Sequence, residues 1–262
     1  MRTKKMLTVW FMSITIAVFL QTGRLSCQED VANEDLIFSL GFGDSTFEAD
    51  MAIGNPKLIA SKGILNLVEG LHGKGLLIGS GGSQLTYDLK ENFDIRQGTI
   101  SCWVKPLKWS KNPEELPKLH LKFWMTSASE KGYLGIEKIG TASGATAPIL
   151  LAWVSHFQCL QKIPGKGMGI QANTAKWNEG EWHHVVLNIN RTDFELYLDG
   201  KTAGKISLPP GSISPEELLD RQFIVGTPDG EVSDQAVLDE IKIYKRPLTA
   251  EEVSKLGNVN IQ

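Results

Sequence analysis

The chain has 262 residues, 42% of them hydrophobic and 22% charged, and a formal net charge of -3. That length suits one large domain, and that composition excludes a disordered chain. The weakly acidic balance excludes a nucleic-acid binder of the usual kind, because neutralising a phosphate backbone takes clustered lysine and arginine.

The chain opens with Arg2, Lys4 and Lys5, then the apolar run MLTVWFMSITIAVFL from Met6 to Leu20, then a polar stretch ending in RLSC. This is the order of a secretory signal, and the run is shorter than the roughly 20 residues that span a bilayer as a helix. The pattern predicts an export signal over 1–26 and a single domain over 28–262, with a net charge of -7 once Arg2, Lys4, Lys5 and Arg24 are removed. Cys27 stands where a bacterial lipoprotein box has its acylated cysteine, but Arg24 occupies a position where an aliphatic residue is expected. Soluble export and lipid anchoring at Cys27 both stay open, and the anchor would be the chain's one route to a membrane.

Short segments of period two follow, broken by Gly, Asn, Asp and Pro, which is the pattern of an all-β sandwich. Strands are predicted at 35–42, 74–79, 83–88, 98–106, 119–127, 133–139, 149–155, 182–190, 194–200, 222–227 and 237–246, with KTAGKIS feeding in after the Asp199-Gly200 turn. Two short helices are predicted. SISPEELLD carries Ser214 as cap, Pro215 and Glu217; LTAEEVSKLG repeats the design with Thr249 and Glu252 as a capping box, Leu248 and Val253 as a staple, and Gly257 as the stop.

Cys102, in TISCWVKP, shares a strand face with Ile100 and Val104 and reads as a buried thiol, while a Cys102–Cys159 bridge stays open for an oxidising compartment. The pair His183-His184 in WHHVVLNIN invites a catalytic or metal-binding reading. Successive side chains on a strand point to opposite faces, so the two cannot converge on one ion or one substrate atom. His183 falls with Val185, Leu187 and Ile189 on the core face, and His184 is expected on the surface or in a groove.

The strings WNEGEWHHVV, FELYLDGK and LDEIKIYKRPLTAEE, with GKGLLIGSGGSQLTYD and GTISCWVKP before them, resemble the laminin-G-like, concanavalin A-like jelly-roll domain over roughly Asp35 to Leu256. The resemblance implies two antiparallel sheets, one of them concave, and a mainly noncatalytic function of binding a glycan or an extracellular protein at the concave face or loop rim, sometimes through calcium. It also makes Asp44, after the first strand, and Asp239, in the last, candidate ligands of a structural calcium, since those strands lie side by side in such domains.

The chemical alternatives are a divergent glycoside hydrolase or a polysaccharide lyase. A retaining glycosidase of this fold wants two carboxyls about 5 to 5.5 Å apart, and EADMAI (Glu48 to Ile53) supplies no second glutamate. Arg96, His120 and Tyr133 provide lyase residue types in no recognisable motif. Sugar binding by stacking calls for exposed aromatic rings. Trp103, Trp124 and Trp153 lie in strands and are expected in the core, Trp177 is at a position usually structural in the family, and Trp109, in PLKWSKNPEELP, is the candidate exposed ring. Asn190-Arg191-Thr192 matches a glycosylation sequon by pattern.

Overall fold

The alternation in FELYL is realised as a ladder: Phe194, Leu196 and their partners Ile189 and Leu187 turn into the core, while Glu195 and its partner Asn188 turn outward. The computed structural model describes residues 33–109, 120–126, 133–139, 149–155, 168–191, 193–207, 222–230 and 232–258, apart from the side chains of 133, 149–155 and 168. The strands are β1 (Leu36–Leu40), β2 (Met51–Ala52), β3 (Ala60–Gly63), β4 (Leu67–Glu69), β5 (Lys74–Gly79), β6 (Ser83–Asp88), β7 (Gln97–Lys108), β8 (His120–Thr126), β9 (Tyr133–Ile139), β10 (Ile149–Ser155), β11 (Met168–Asn173), β12 (His183–Asn190), β13 (Asp193–Leu198), β14 (Lys201–Ser207), β15 (Gln222–Gly226) and β16 (Gln235–Tyr244), followed by helix α1 (Ala250–Gly257).

They form two sheets whose neighbouring strands are antiparallel. One runs β14-β13-β12-β7-β16-β1-β2, with β5 also on β16 and β4 on β5; the other runs β11-β10-β9-β8-β15-β6-β3. The jelly-roll expectation holds. Every predicted strand is present, and the capping box of α1 forms between Thr249 and Glu252 as its sequence foretold. The structure adds β2, β3, β4 and β11. The described residues form one compact unit.

The inner faces meet in one core, where Phe38 packs edge-on against Tyr87 and Phe223, and Trp124 stacks on Phe223 at 5.6 Å. Such geometries are favoured by the ring quadrupoles beyond simple burial. Cys102 lies in this core, 1% exposed, with its thiol pushed up to about 12 by burial. It carries a free thiol; Cys159, the partner of the alternative bridge, lies outside the described residues, as do the residues read as an export signal, Cys27 and the helix predicted at 212–220. A second apolar cluster lies on the outer face of the nine-stranded sheet, where Val253 and Leu248 cover Val186, Tyr197 and Tyr244. Arg246 ties α1 down, donating to both carboxylate oxygens of Glu252 at 2.7 and 2.9 Å and to Asp35.

Candidate functional site

The histidine pair divides between the two faces as the strand geometry requires. His183 stacks on Trp177 with ring centroids 4.0 Å apart and meets Asp199 Oδ2 through Nδ1 at 3.0 Å. Asp199 also accepts from the His184 main-chain N–H; burial raises its carboxyl, but these bonds outweigh that and hold it below its ordinary value. His184 departs from expectation. It is 1% exposed rather than in a groove, because Gly257 at the end of α1 lies over it. Its Nε2 meets Ser101 Oγ at 2.8 Å, its ring stacks on Trp103 at 4.8 Å, and burial pulls its pKa down to about 4. A neutral imidazole locked under a helix is a packing element rather than a ligand contact.

The tryptophans correct a second expectation. Trp109 is 5% exposed, not free to stack on a sugar. It lies in a ladder of rings, 6.3 Å from Phe123 and 5.6 Å from Trp177, with the Lys138 ammonium 5.5 Å from its ring centroid. Lys138 and Asp234 form a fully buried ion pair beside it. Among the described tryptophan side chains Trp182 keeps partial exposure, capped by Lys105 Nζ at 4.8 Å. Trp103 and Trp124 are buried as expected, and the Trp153 side chain is outside the described residues.

Asp239 is at the bulge where one side of β16 changes partner from β5 to β1, with Glu240 at φ 51°, and Asp44 follows β1 in the chain. Their carboxylates are nevertheless spent on the backbone. Asp44 Oδ1 accepts from the N–H and hydroxyl of Thr46, which hold its carboxyl below its ordinary value. Asp239 is 0% exposed; its Oδ2 accepts from Leu71 and His72 N–H at 2.8 and 3.1 Å and its Oδ1 from Glu240 N–H at 2.8 Å. Burial raises it to about 7 despite these bonds. Asp239 therefore fastens the 70–73 turn to β16, where a Cβ on Gly70 would strike its carboxylate at 2.6 Å. Among the described residues no three His, Cys, Asp or Glu side chains are grouped to hold a metal ion.

The outward residues of the β12–β13–β14 hairpins build the site the sequence missed. Arg191 at φ 56° turns the chain between β12 and β13, and Asp199 and Gly200, at φ 49° and 74°, make the next turn, where both central residues take the left-handed conformation that suits a tight hairpin. The register sets Asn190 beside Asp193, and Asn188 beside Glu195. Lys205 follows on β14, opposite Glu195. With Tyr197 and the Pro247–Ala250 stretch that leads into α1, they enclose a groove of about 240 Å³.

Asn188 fixes the groove floor: its Oδ1 accepts from Thr99 Oγ1 at 2.6 Å and its Nδ2 donates to the Leu248 carbonyl at 2.6 Å. Asn190 is exposed at the rim, Asp193 accepts from Ser207 Oγ at 2.6 Å and lies 3.9 Å from Lys205 Nζ, and Glu195 accepts from Thr202 Oγ1 at 3.2 Å. Amide, carboxylate and ammonium groups around a tyrosine form the donor and acceptor set that meets sugar hydroxyls. Asp193 and Glu195 leave the same strand on the same face and are each tied toward β14. Asp50, of the EADMAI string, accepts from Gly41 N–H at 2.6 Å. Arg96 is paired with Asp94 just before β7, and His120 with Glu137 at 3.1 Å on the other sheet, so these two lyase residue types do not converge.

A family model described as the concanavalin A-like lectin/glucanases superfamily matches residues 79–254. No curated protein matches the sequence. Among solved structures, the binding domain of Paraclostridial Mosquitocidal Protein 1 aligns with a TM-score of 0.63 at 20% identity, over 86% of this chain and 52% of that one. Domain 4 of AbnA, a GH43 extracellular arabinanase from Geobacillus stearothermophilus, solved with arabinotriose, aligns with a TM-score of 0.61 at 17% identity over 86% and 98%. The binding domain of Botulinum neurotoxin DC, solved with rat synaptotagmin II, gives 0.65 at 16% over 88% and 52%. The chain thus spans about half the length of the two toxin domains and nearly all of the arabinanase domain. At these identities the likeness is one of fold.

Proposed function

Because the chain belongs to the concanavalin A-like lectin/glucanase superfamily, we propose that it is an exported, noncatalytic recognition domain that binds carbohydrate. The observation that carries this reading is the groove over Asn188, Asn190, Asp193, Glu195, Tyr197 and Lys205, whose polar groups are suited to sugar hydroxyls. Export rests on the basic and apolar order of residues 2–20. Among the described residues no helix is long and apolar enough to cross a membrane.

Noncatalytic action rests on the carboxylates. Asp44, Asp50, Asp193, Glu195 and Asp239 are each engaged by a neighbouring hydroxyl or N–H. The toxin domains of like fold are also binding domains. The domain of AbnA solved with arabinotriose supports a saccharide as the ligand class.

The test is a glycan array probed with the mature chain, with and without calcium, alongside Asn190→Ala and Glu195→Ala. Binding that both substitutions weaken supports the groove. An array with no binding in either condition refutes carbohydrate recognition and turns the search to an extracellular protein partner.

A further inference from the structure

Of the four exposed large apolar side chains among the described residues, Ile53 at 65% is held to β1 by its N–H bond to the Ile37 carbonyl, while Ile59 at 40%, Ile64 at 56% and Leu65 at 42% bracket one short strand. Scattered single apolar residues are ordinary on a surface, whereas a cluster marks an interaction site. The bracketed strand is β3, the end strand of the seven-stranded sheet, hydrogen-bonded to β6 on one side and to no described strand on the other. All of its residues are exposed, so it overhangs the core and gains little from burial. Ile64 N–H bonds to the Gly82 carbonyl, and in this register Ala60 and Lys62 also turn their main chain toward β6. Ser61 therefore turns its N–H and C=O outward, as alternate residues of an antiparallel edge do.

We propose that β3 is a docking edge for an extended segment of a partner protein that carries both apolar and acidic residues, which adds a strand to the seven-stranded sheet. The main chain of Ser61 supplies the bonds that recognise a strand, and the isoleucines supply the apolar contact. The charge selects the partner. From Ile53 to Val68 the chain carries Lys57 and Lys62 and no carboxylate. The flanking acids are turned to other uses, Asp88 accepting from Asn55 Nδ2 at 2.8 Å and Asp229 from Gly81 N–H at 2.7 Å. A second copy pairing through Ser61 would gather four lysines along one ladder, and a lysine on an edge strand is a known guard against such self-pairing. The edge is on the other sheet from the groove, so this inference stands apart from carbohydrate binding.

The experiment screens a displayed library of random peptides against the chain, with Ser61→Pro as the control. Proline at this position removes the outward N–H and leaves the ladder to β6 intact, so an unchanged thermal midpoint shows that Ser61→Pro still folds. Enrichment of peptides that combine apolar residues with Asp and Glu, binding about tenfold more weakly to Ser61→Pro and losing their acidic preference on Lys57→Glu/Lys62→Glu, supports the proposal. No enrichment over the proline control overturns it. So does a chain that sediments as a dimer and becomes a monomer on Ser61→Pro, which would make the occupant a second copy.

Discussion

Replacing His184 with phenylalanine tests whether α1 seals a neutral imidazole against the nine-stranded sheet. The ring keeps its stack on Trp103, and the proton site and the Ser101 contact are lost. In the fold the imidazole protonates at about 4, against 6.5 when free, because burial penalises the cation. The unfolded chain therefore binds the proton more tightly, and stability present above pH 6.5 is lost as pH falls toward 4. At about 1.36 kcal/mol per pH unit, the loss over that window is about 3 kcal/mol, and it stops below pH 4 where both states are protonated. Urea unfolding of both proteins from pH 7.5 to 4 measures it. The phenylalanine variant should start less stable by about 1 to 2 kcal/mol, for the buried Ser101 hydroxyl left without its partner, and should overtake the wild type as pH falls. Parallel pH profiles would refute the burial of a neutral His184.

Asp239 gives the opposite slope. Raised by burial to about 7 from 3.8, it binds its proton more tightly in the fold, so wild type should lose stability relative to Asp239→Asn as pH rises from 4 to 7, read by the same unfolding series. Removing one partner of the buried Lys138–Asp234 pair, as in Lys138→Met, should cost about 3 to 5 kcal/mol, and Lys138→Met/Asp234→Leu should recover much of that loss; a double variant as unstable as the single would contradict the desolvation argument. Arg246→Ala should cost only about 1 kcal/mol, because its side chain is 35% exposed and screened, but hydrogen exchange should accelerate along Ala250–Gly257 as the helix loses its tie to Glu252 and Asp35.

The fold was legible because alternation and turn chemistry are local. FELYL, the Asp199-Gly200 turn and the Thr249/Glu252 box each carry their geometry in a few residues, and each forms as written. The short edge strand β3 was not legible, since ASKG has no apolar face to alternate. Neither was the exposure of individual rings. Trp109 closes a ladder with Phe123 and Trp177 from distant parts of the chain, and His184 is covered by a helix some seventy residues later, which no local pattern reports. The groove was missed for the same reason: Asn188 and Glu195 read as ordinary outward strand residues until the Pro247–Ala250 stretch walls them in.

The central claim is that this groove binds a saccharide without cleaving it. The most direct measurement titrates the strongest array glycan into isotope-labelled chain, following the side-chain amides of Asn188 and Asn190 and the sugar's reducing ends together. The account predicts saturable shifts at both amides and no new reducing ends. Shifts confined to another surface, or release of shortened sugar, would contradict it.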